Sequence, residues 1–325
     1  MLGKYAASVL VCASTIRAAC TPGLRAEHFI NSAPSLDMVS TLVIGSEAAV
    51  IFDLPLAIPQ AVALADWVKN TTDKPVIAAF TTHFHPDHYL SGAAFLDRFP
   101  DANFYANAQT ASLIKNDAAE RISIWKSILG DDAIVDVAAV PVPFNFTFFT
   151  LPGDESSPIH LISPLVADTI DKMIFWIPSI STLIAGDAVY GRGLHLWLAD
   201  MLSPALTQAW LSTLEFIESL SPKKVIPGHA TSLESFSDGA DIEHTRRYIE
   251  VFQEQVEAKG KDALTPAEIS EIFDSQFPGL LASSTSALLL NVTSEEFGRG
   301  GTRLARTFDL ASFNDTQQLA GWNLK

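Results

Sequence analysis

The chain has 325 residues, 48% of them hydrophobic and 18% charged, with a formal net charge of −16. A composition this rich in aliphatic side chains excludes a disordered chain. The acidic balance, with no cluster of lysine and arginine, argues against nucleic acid or an anionic membrane as a partner.

Residues 1–25 read as a leader. Lys4 gives a short basic start, residues 5–14 an apolar run, and Ala18, Ala19 and Cys20 the small residues of a cleavage zone, with Arg17 a poor fit there. The run is too short to span a bilayer. Sequons at Asn70, Asn145, Asn291 and Asn314 suit an exported glycoprotein but are harmless in the cytosol, so secretion and a cytoplasmic location stand level. Cys12 and Cys20 are the two cysteines; no CxxC pattern suggests a thiolate zinc site or an iron–sulfur centre.

Residues 26–325 read as one unit, without a Pro/Gly/Ser-rich linker. Apolar runs at 38–44 and 48–52 around Gly45-Ser46-Glu47 predict strand–turn–strand, closed by Asp53. Helical spacing at 59–69 gives way to a strand at 74–80, a helix at 88–99, a strand at 103–106 and a helix at 108–119. Residues 133–149 look strand-like, with Pro141 and Pro143 at an edge or bend. Strands follow at 159–162, 172–177 and 181–185. An amphipathic helix at 204–220 has Ser203 at its cap and Pro204 in its first turn. A strand at 223–226 ends in Pro227-Gly228-His229. Residues 241–259 and 266–273 are helical, and the apolar run 287–292 suits a core or a homodimer contact equally. Two rounds of strands and helix predict an α/β (α+β) fold of four layers, helix–sheet–sheet–helix.

The most informative stretch is Thr82-His83-Phe84-His85-Pro86-Asp87-His88, at the end of a buried strand. Side chains alternate in an extended segment, so His83 and His85 share a side; Pro86 breaks the ladder, and Asp87 and His88 come from the next turn. Asp87 capping a helix is the plainer reading, but four such residues at this spacing suit a divalent ion of the zinc type. Asp187 follows Gly186 at a strand end, where alone it would read as a turn residue. Gly228 lets a tight turn aim His229 inward. Six potential ligands from three strand ends suit two metals sharing a carboxylate.

These residues resemble the metallo-β-lactamase superfamily. Its His-x-His-x-Asp-His signature is matched by residues 83–88, its early strand-end Asp by Asp53, its Gly-Asp motif by Gly186-Asp187 and its last histidine by His229, across about residues 36–235. The resemblance implies the αββα sandwich, a site for one or two zinc ions between the sheets, and an Asp53 that supports the histidine loop without binding metal. It also implies a third histidine for the first metal, but that slot falls near Val166. Asp168 is the favoured substitute and His160 the other; a carboxylate there makes the site harder and open to iron or manganese.

Metal-activated water needs no serine or cysteine nucleophile, and no Gly-x-Ser-x-Gly elbow is present. The expected reaction is hydrolysis of a small-molecule lactone, lactam or thioester, as in secondary-metabolite or xenobiotic turnover, with Asp87 orienting the nucleophile and returning the proton. Tyr190 and His195 are expected to bind an oxyanion and Arg192 an acid group, beside a packed Trp197. His28, His160 and His244 read as lone structural or solvated histidines. Two other readings are an iron-dependent dioxygenase acting on persulfides, as some members of the resembled superfamily are, and a metal-poor ligand-binding sandwich.

Overall fold

The computed structural model describes residues 23–303, except 235, 238 and 261. The expected leader up to residue 22, both cysteines and the sequon at Asn314 lie outside the described residues. In chain order the elements are β1 (Arg25–Asn31), β2 (Met38–Ile44), β3 (Ala49–Phe52), α1 (Ile58–Thr71), β4 (Val76–Phe80), α2 (Gly92–Leu96), β5 (Asn103–Ala106) and α3 (Ala108–Leu129). They continue with β6 (Val142–Pro143), β7 (Phe148–Phe149), β8 (Ile159–Leu165), β9 (Lys172–Ile177), β10 (Thr182–Tyr190), α4 (Pro204–Ser219) and β11 (Lys224–His229). The last helices are α5 (Ala240–Gln255), α6 (Pro266–Gln276) and α7 (Ser284–Phe297). Among the described residues no helix is long and apolar enough to cross a membrane.

The strands pair in the order β6-β5-β4-β3-β2-β11-β10-β9-β8-β7, with β1 added antiparallel along β2. β2 and β11 meet through one register pair, Met38 with His229. The sheet turns there into two halves, β1–β6 and β7–β11, that face each other. Alternation along the strands gives three apolar layers. Leu42, Ile44, Ala49 and Ile51 point outward onto α1, α2 and α3. Val43, Val50, Phe52 and Phe80 point inward against Ile159, Phe175 and Ile184 of the other half. Leu183, Ala185 and Val225 point outward onto α4 and α5, where Trp210 and Tyr248 are fully buried. Helix–sheet–sheet–helix is therefore the architecture, as the sequence predicts.

Several boundaries differ from expectation. The helix expected at 88–99 is a 3₁₀ turn, Pro86–His88, followed by the short α2, because Pro86 and the tight loop leave no room for a regular start. α3 runs ten residues past the expected end, to a left-handed Gly130. Residues 133–149 hold only the two-residue strands β6 and β7, which join the outer edges of the two halves. β1 was not anticipated. β10 continues through Gly186-Asp187 to Tyr190, so Asp187 lies inside a strand rather than at its end, where register shifts interrupt the pairing with β11. Ser203 sits at the N-cap of α4 but its side chain makes no capping bond. The apolar run 287–292 belongs to α7.

Candidate metal centre

The centre lies where β3, β4 and β11 end, beside the irregular second half of β10, and each of its parts has a local cause. Asp53 leaves β3 with a positive φ of 61°, which turns its carboxylate toward the loop after β4. Its Oδ1 accepts from the Thr82 N–H at 2.7 Å and its Oδ2 from the Thr82 hydroxyl at 3.0 Å; Oδ2 also lies 3.0 Å from His88 Nδ1. The Thr82 oxygen accepts in turn from His83 Nδ1 at 3.0 Å. His229 Nδ1–H donates to the Leu36 carbonyl at 2.7 Å, and His85 Nε2 lies 3.2 Å from Asp200 Oδ2. Four imidazoles thus each place one ring nitrogen on an outer partner and turn the other inward.

The inward atoms form two sets. His83, His85, Asp168 and Asp187 make one; Asp87, His88 and His229 make the other; within each set the donor atoms lie within 4.8 Å of one another. Asp187 stands between them, with Oδ1 3.1 Å from His88 Nε2 and Oδ2 3.2 Å from His229 Nε2 and 3.8 Å from His83 Nε2. Two glycines make room for this. A Cβ on Gly186 would meet the Thr82 hydroxyl at 2.7 Å, and one on Gly228 would sit 1.8 Å from Asp187 Oδ1.

Charge is the main strain in the site. Asp53, Asp87, Asp168 and Asp187 are all buried, and the nearest fixed cation is the fully buried Lys172, 2.6 Å from Asp168 Oδ1. Carboxylates gathered out of water need positive neighbours. Without a metal, histidines supply them. Burial disfavours charge on His85, yet Asp168 and Asp200 raise it to about 10. Burial is likewise outweighed at His88, raised to about 9 by Asp187, Asp53 and Asp87, and at His229, raised well above its ordinary value by Asp187 and Asp87. His83 goes the other way, held well below by burial, by Lys172 and by His88. Burial favours protonation of Asp87 and Asp187, but His88 and His229 keep both below the usual carboxylate range. The donor set fits one or two divalent ions: His83 Nε2 is buried without a hydrogen-bond partner, and mixed imidazole and carboxylate donors suit zinc, iron or manganese.

A cavity of about 260 Å³ opens on the centre. His85, Asp87, Asp187 and His229 form its floor, and Phe84, Ile124, Trp125, Trp197, Leu288 and Val292 its apolar walls. A larger cleft of about 400 Å³ beside Glu257 and Glu296 lies apart from these residues.

The sequence-predicted residues separate into two groups. His83, His85, Asp87, His88, Asp168, Asp187 and His229 converge, with Asp53 behind them. Of the two substitutes for the missing histidine, Asp168 is in the cluster, whereas His160 lies on β8 opposite Phe148 and Trp176. Tyr190 lines the cavity, but its hydroxyl donates to Asp187 Oδ2 at 2.7 Å and its ring stacks on His229. Burial and the nearby carboxylates push that phenol well above its ordinary value, so it stays a donor.

Arg192 and His195, expected at the groove mouth, are not among the residues lining the cavity. The Arg192 N–H donates to Asp241 Oδ1 at 2.9 Å, at the start of α5. His195 is buried against Tyr248 and Ser286, with Nδ1 3.1 Å from the Tyr248 hydroxyl. The Gly191–Gly193 turn carries the chain away from the floor before Trp197 returns to it. His28 meets Thr41 and Phe236, and His244 the Leu194 carbonyl.

Sequence reasoning missed Asp200, whose Oδ2 also accepts from Trp197 Nε1 at 2.6 Å, and it missed Lys172 and Trp125. A lysine heading an otherwise apolar strand was the one local signal among them.

Comparison with known proteins agrees with this geometry. A family model described as the metallo-beta-lactamase superfamily matches residues 36–229. The metallo-beta-lactamase IND-1 of Chryseobacterium indologenes is 24% identical over 210 residues, 63% of this chain and 75% of that protein. A type 2 metallo-beta-lactamase of Bacteroides fragilis is 23% identical over 216 residues, 66% of this chain and 75% of its own. Among solved structures, a metallo-beta-lactamase from Pontibacter korlensis aligns with a TM-score of 0.47 at 18% identity, over 71% of this chain and 96% of that one. With the family's pattern matched over more than half its length, this chain belongs to the metallo-beta-lactamase superfamily.

Proposed function

We propose that the protein is a metal-dependent hydrolase that opens an acyl bond, of the lactone, lactam or thioester kind, in a small apolar molecule. The observation that carries this reading is the position of the His/Asp cluster as the floor of an apolar cavity. A divalent ion held by these residues, zinc in our reading, supplies Lewis acidity, which lowers the pKa of a water and polarises an acyl carbonyl.

The chain's own groups do the rest. Asp87 faces the cavity from the floor, with Oδ2 3.2 Å from His229 Nε2. It accepts the proton of the attacking water as the new carbon–oxygen bond forms, and returns it to the nitrogen, oxygen or sulfur that departs. Tyr190 fixes Asp187 through its hydroxyl, a positioning role in place of the oxyanion contact that the sequence suggests. Phe84, Trp125, Trp197 and Leu288 exclude water and bind the apolar part of the substrate. A dry cavity of about 150 Å³ accommodates a benzene ring; on that scale this one holds a bicyclic ring or a medium-length chain.

The test is a panel of aliphatic and aromatic lactones, lactams and thioesters, run on zinc-reconstituted protein and on Asp87→Asn. Activity on at least one class, lost in the variant by more than its change in metal content accounts for, supports the reading. Oxygen consumption by an iron-loaded chain with a persulfide would replace it with a dioxygenase, and ligand binding without turnover would leave a binding protein.

A further inference from the structure

Lys172 is the group at the centre that the reaction above does not use. It opens β9 at the head of Lys-Met-Ile-Phe-Trp-Ile, and its side chain is wholly buried. A lysine so placed is retained only when an anion meets its ammonium. Asp168 is that anion, with Oδ1 2.6 Å from Nζ. The adjacent Asp171 is engaged elsewhere, accepting from the hydroxyls of Thr169 at 2.7 Å and Thr110 at 2.8 Å.

The second oxygen of Asp168 faces the histidines. Oδ2 lies 2.9 Å from His85 Nδ1 and 3.5 Å from His83 Nε2. One carboxylate therefore gives one oxygen to a lysine and the other to the donor set. The turn between β8 and β9 fixes this arrangement. The Thr213 hydroxyl donates to the Val166 carbonyl at 2.7 Å, the Ala167 N–H to the Thr169 carbonyl at 2.8 Å, and Lys172 pairs in register with Leu165.

We propose that Lys172 makes Asp168 a charge-neutral donor, so that His83, His85 and Asp168 together present the charge of three imidazoles and favour zinc over a harder ion such as manganese. The inference rests on reading the cluster as a metal centre. An ammonium and a divalent ion on two oxygens of one carboxylate repel each other, so removing the ammonium strengthens that oxygen as a hard donor.

The test uses the full chain and the variants Lys172→Met, Asp168→His and Asp168→His/Lys172→Met. Zinc and manganese affinities are measured by competition with a chelator at one pH, and folding is followed by circular dichroism. Lys172→Met is expected to raise manganese affinity relative to zinc about 10- to 100-fold over the parent, the range by which groups behind metal ligands tune affinity. Asp168→His alone leaves the ammonium facing imidazoles and weakens zinc binding; the double variant restores it.

A zinc-to-manganese affinity ratio in folded Lys172→Met that matches or exceeds the parent's would overturn the proposal. So would a double variant that binds zinc no better than Asp168→His. If Lys172→Met does not fold, the two histidine variants decide, because the double variant removes both charges together. Failure of the parent chain to bind any ion would overturn the metal-centre reading as well, a result distinct from ions that bind and ignore Lys172.

Discussion

At the residue scale, the centre is ordered as much by groups that do not face the cavity as by those that do. Asp53 binds the Thr82 backbone and side chain and touches His88, so it sets the position of both the loop and a ring. Asp53→Ala is expected to weaken zinc binding about 10- to 100-fold in a chelator competition, although Asp53 does not line the cavity. Asp200, which does line the cavity, contacts His85 and is itself held by Trp197, so Asp200→Ala should fall in the same range or below it. Parent-like affinity in both variants would show that the histidines need no outer support. Gly228 is a sharper case. A Cβ there would sit 1.8 Å from Asp187 Oδ1, so the carboxylate shared by the two donor sets would have to move. Gly228→Ala is expected to lose one or both ions while keeping its far-ultraviolet dichroism. A variant that keeps full metal content would contradict the placement of Asp187.

At the element scale, α3 and α7 form the cavity walls. Ile124 and Trp125 on α3 and Leu288 and Val292 on α7 line the cavity, and α7 lies beyond residue 229, where the match to the family model ends. Leu288→Ala should therefore raise KM for an apolar substrate by about tenfold with kcat nearly unchanged, the signature of lost uniform binding. A polar substrate of similar reactivity should be indifferent to the change, and equal effects on both would remove α7 from the binding wall. The core between the sheets gives a stability prediction. Phe80 lies 5.1–5.8 Å, ring to ring, from Phe149, Phe175 and Phe52. Phe80→Ala should cost about 3–5 kcal/mol in urea unfolding.

The elements also show what the amino-acid order reveals and what it hides. The 83–88 motif, Asp53, Gly186-Asp187 and Gly228-His229 were legible because strand ends and turns have local chemistry. The full length of α3 is not legible because its exposed apolar residues, Ile124 and Ile128, do not keep a one-sided helical pattern; they line the cavity. Asp200 and Lys172 could not be placed, because their partners His85 and Asp168 are distant in sequence or lie across a turn. Arg192 and His195 are close to Asp187 in sequence, and the Gly191–Gly193 turn removes that proximity in space.

At the scale of the whole molecule, the site couples metal, protons and stability. In the metal-free chain His85 and His88 titrate at about 10 and about 9, above the ordinary 6.5. Raised values of this kind stabilise the fold fully below pH 6.5, and the contribution is lost as pH rises through 9–10. His28, lowered to about 3 by burial and Lys224, and His195, lowered to about 4 by burial and His244, have the opposite sign. Their contribution is present above pH 6.5 and is lost as pH falls toward 4 and 3. The metal-free chain should thus lose stability on both sides of pH 6.5. The zinc-loaded chain, whose ligating imidazoles need no proton, should resist the alkaline loss, as urea midpoints across pH would show. The central claim is that the converged histidines and aspartates hold metal, and elemental mass spectrometry of the zinc-reconstituted full chain tests it most directly, with His83→Ala and His229→Ala alongside. The account predicts about two ions per chain and the loss of a different one in each variant; a parent chain that retains none would contradict it.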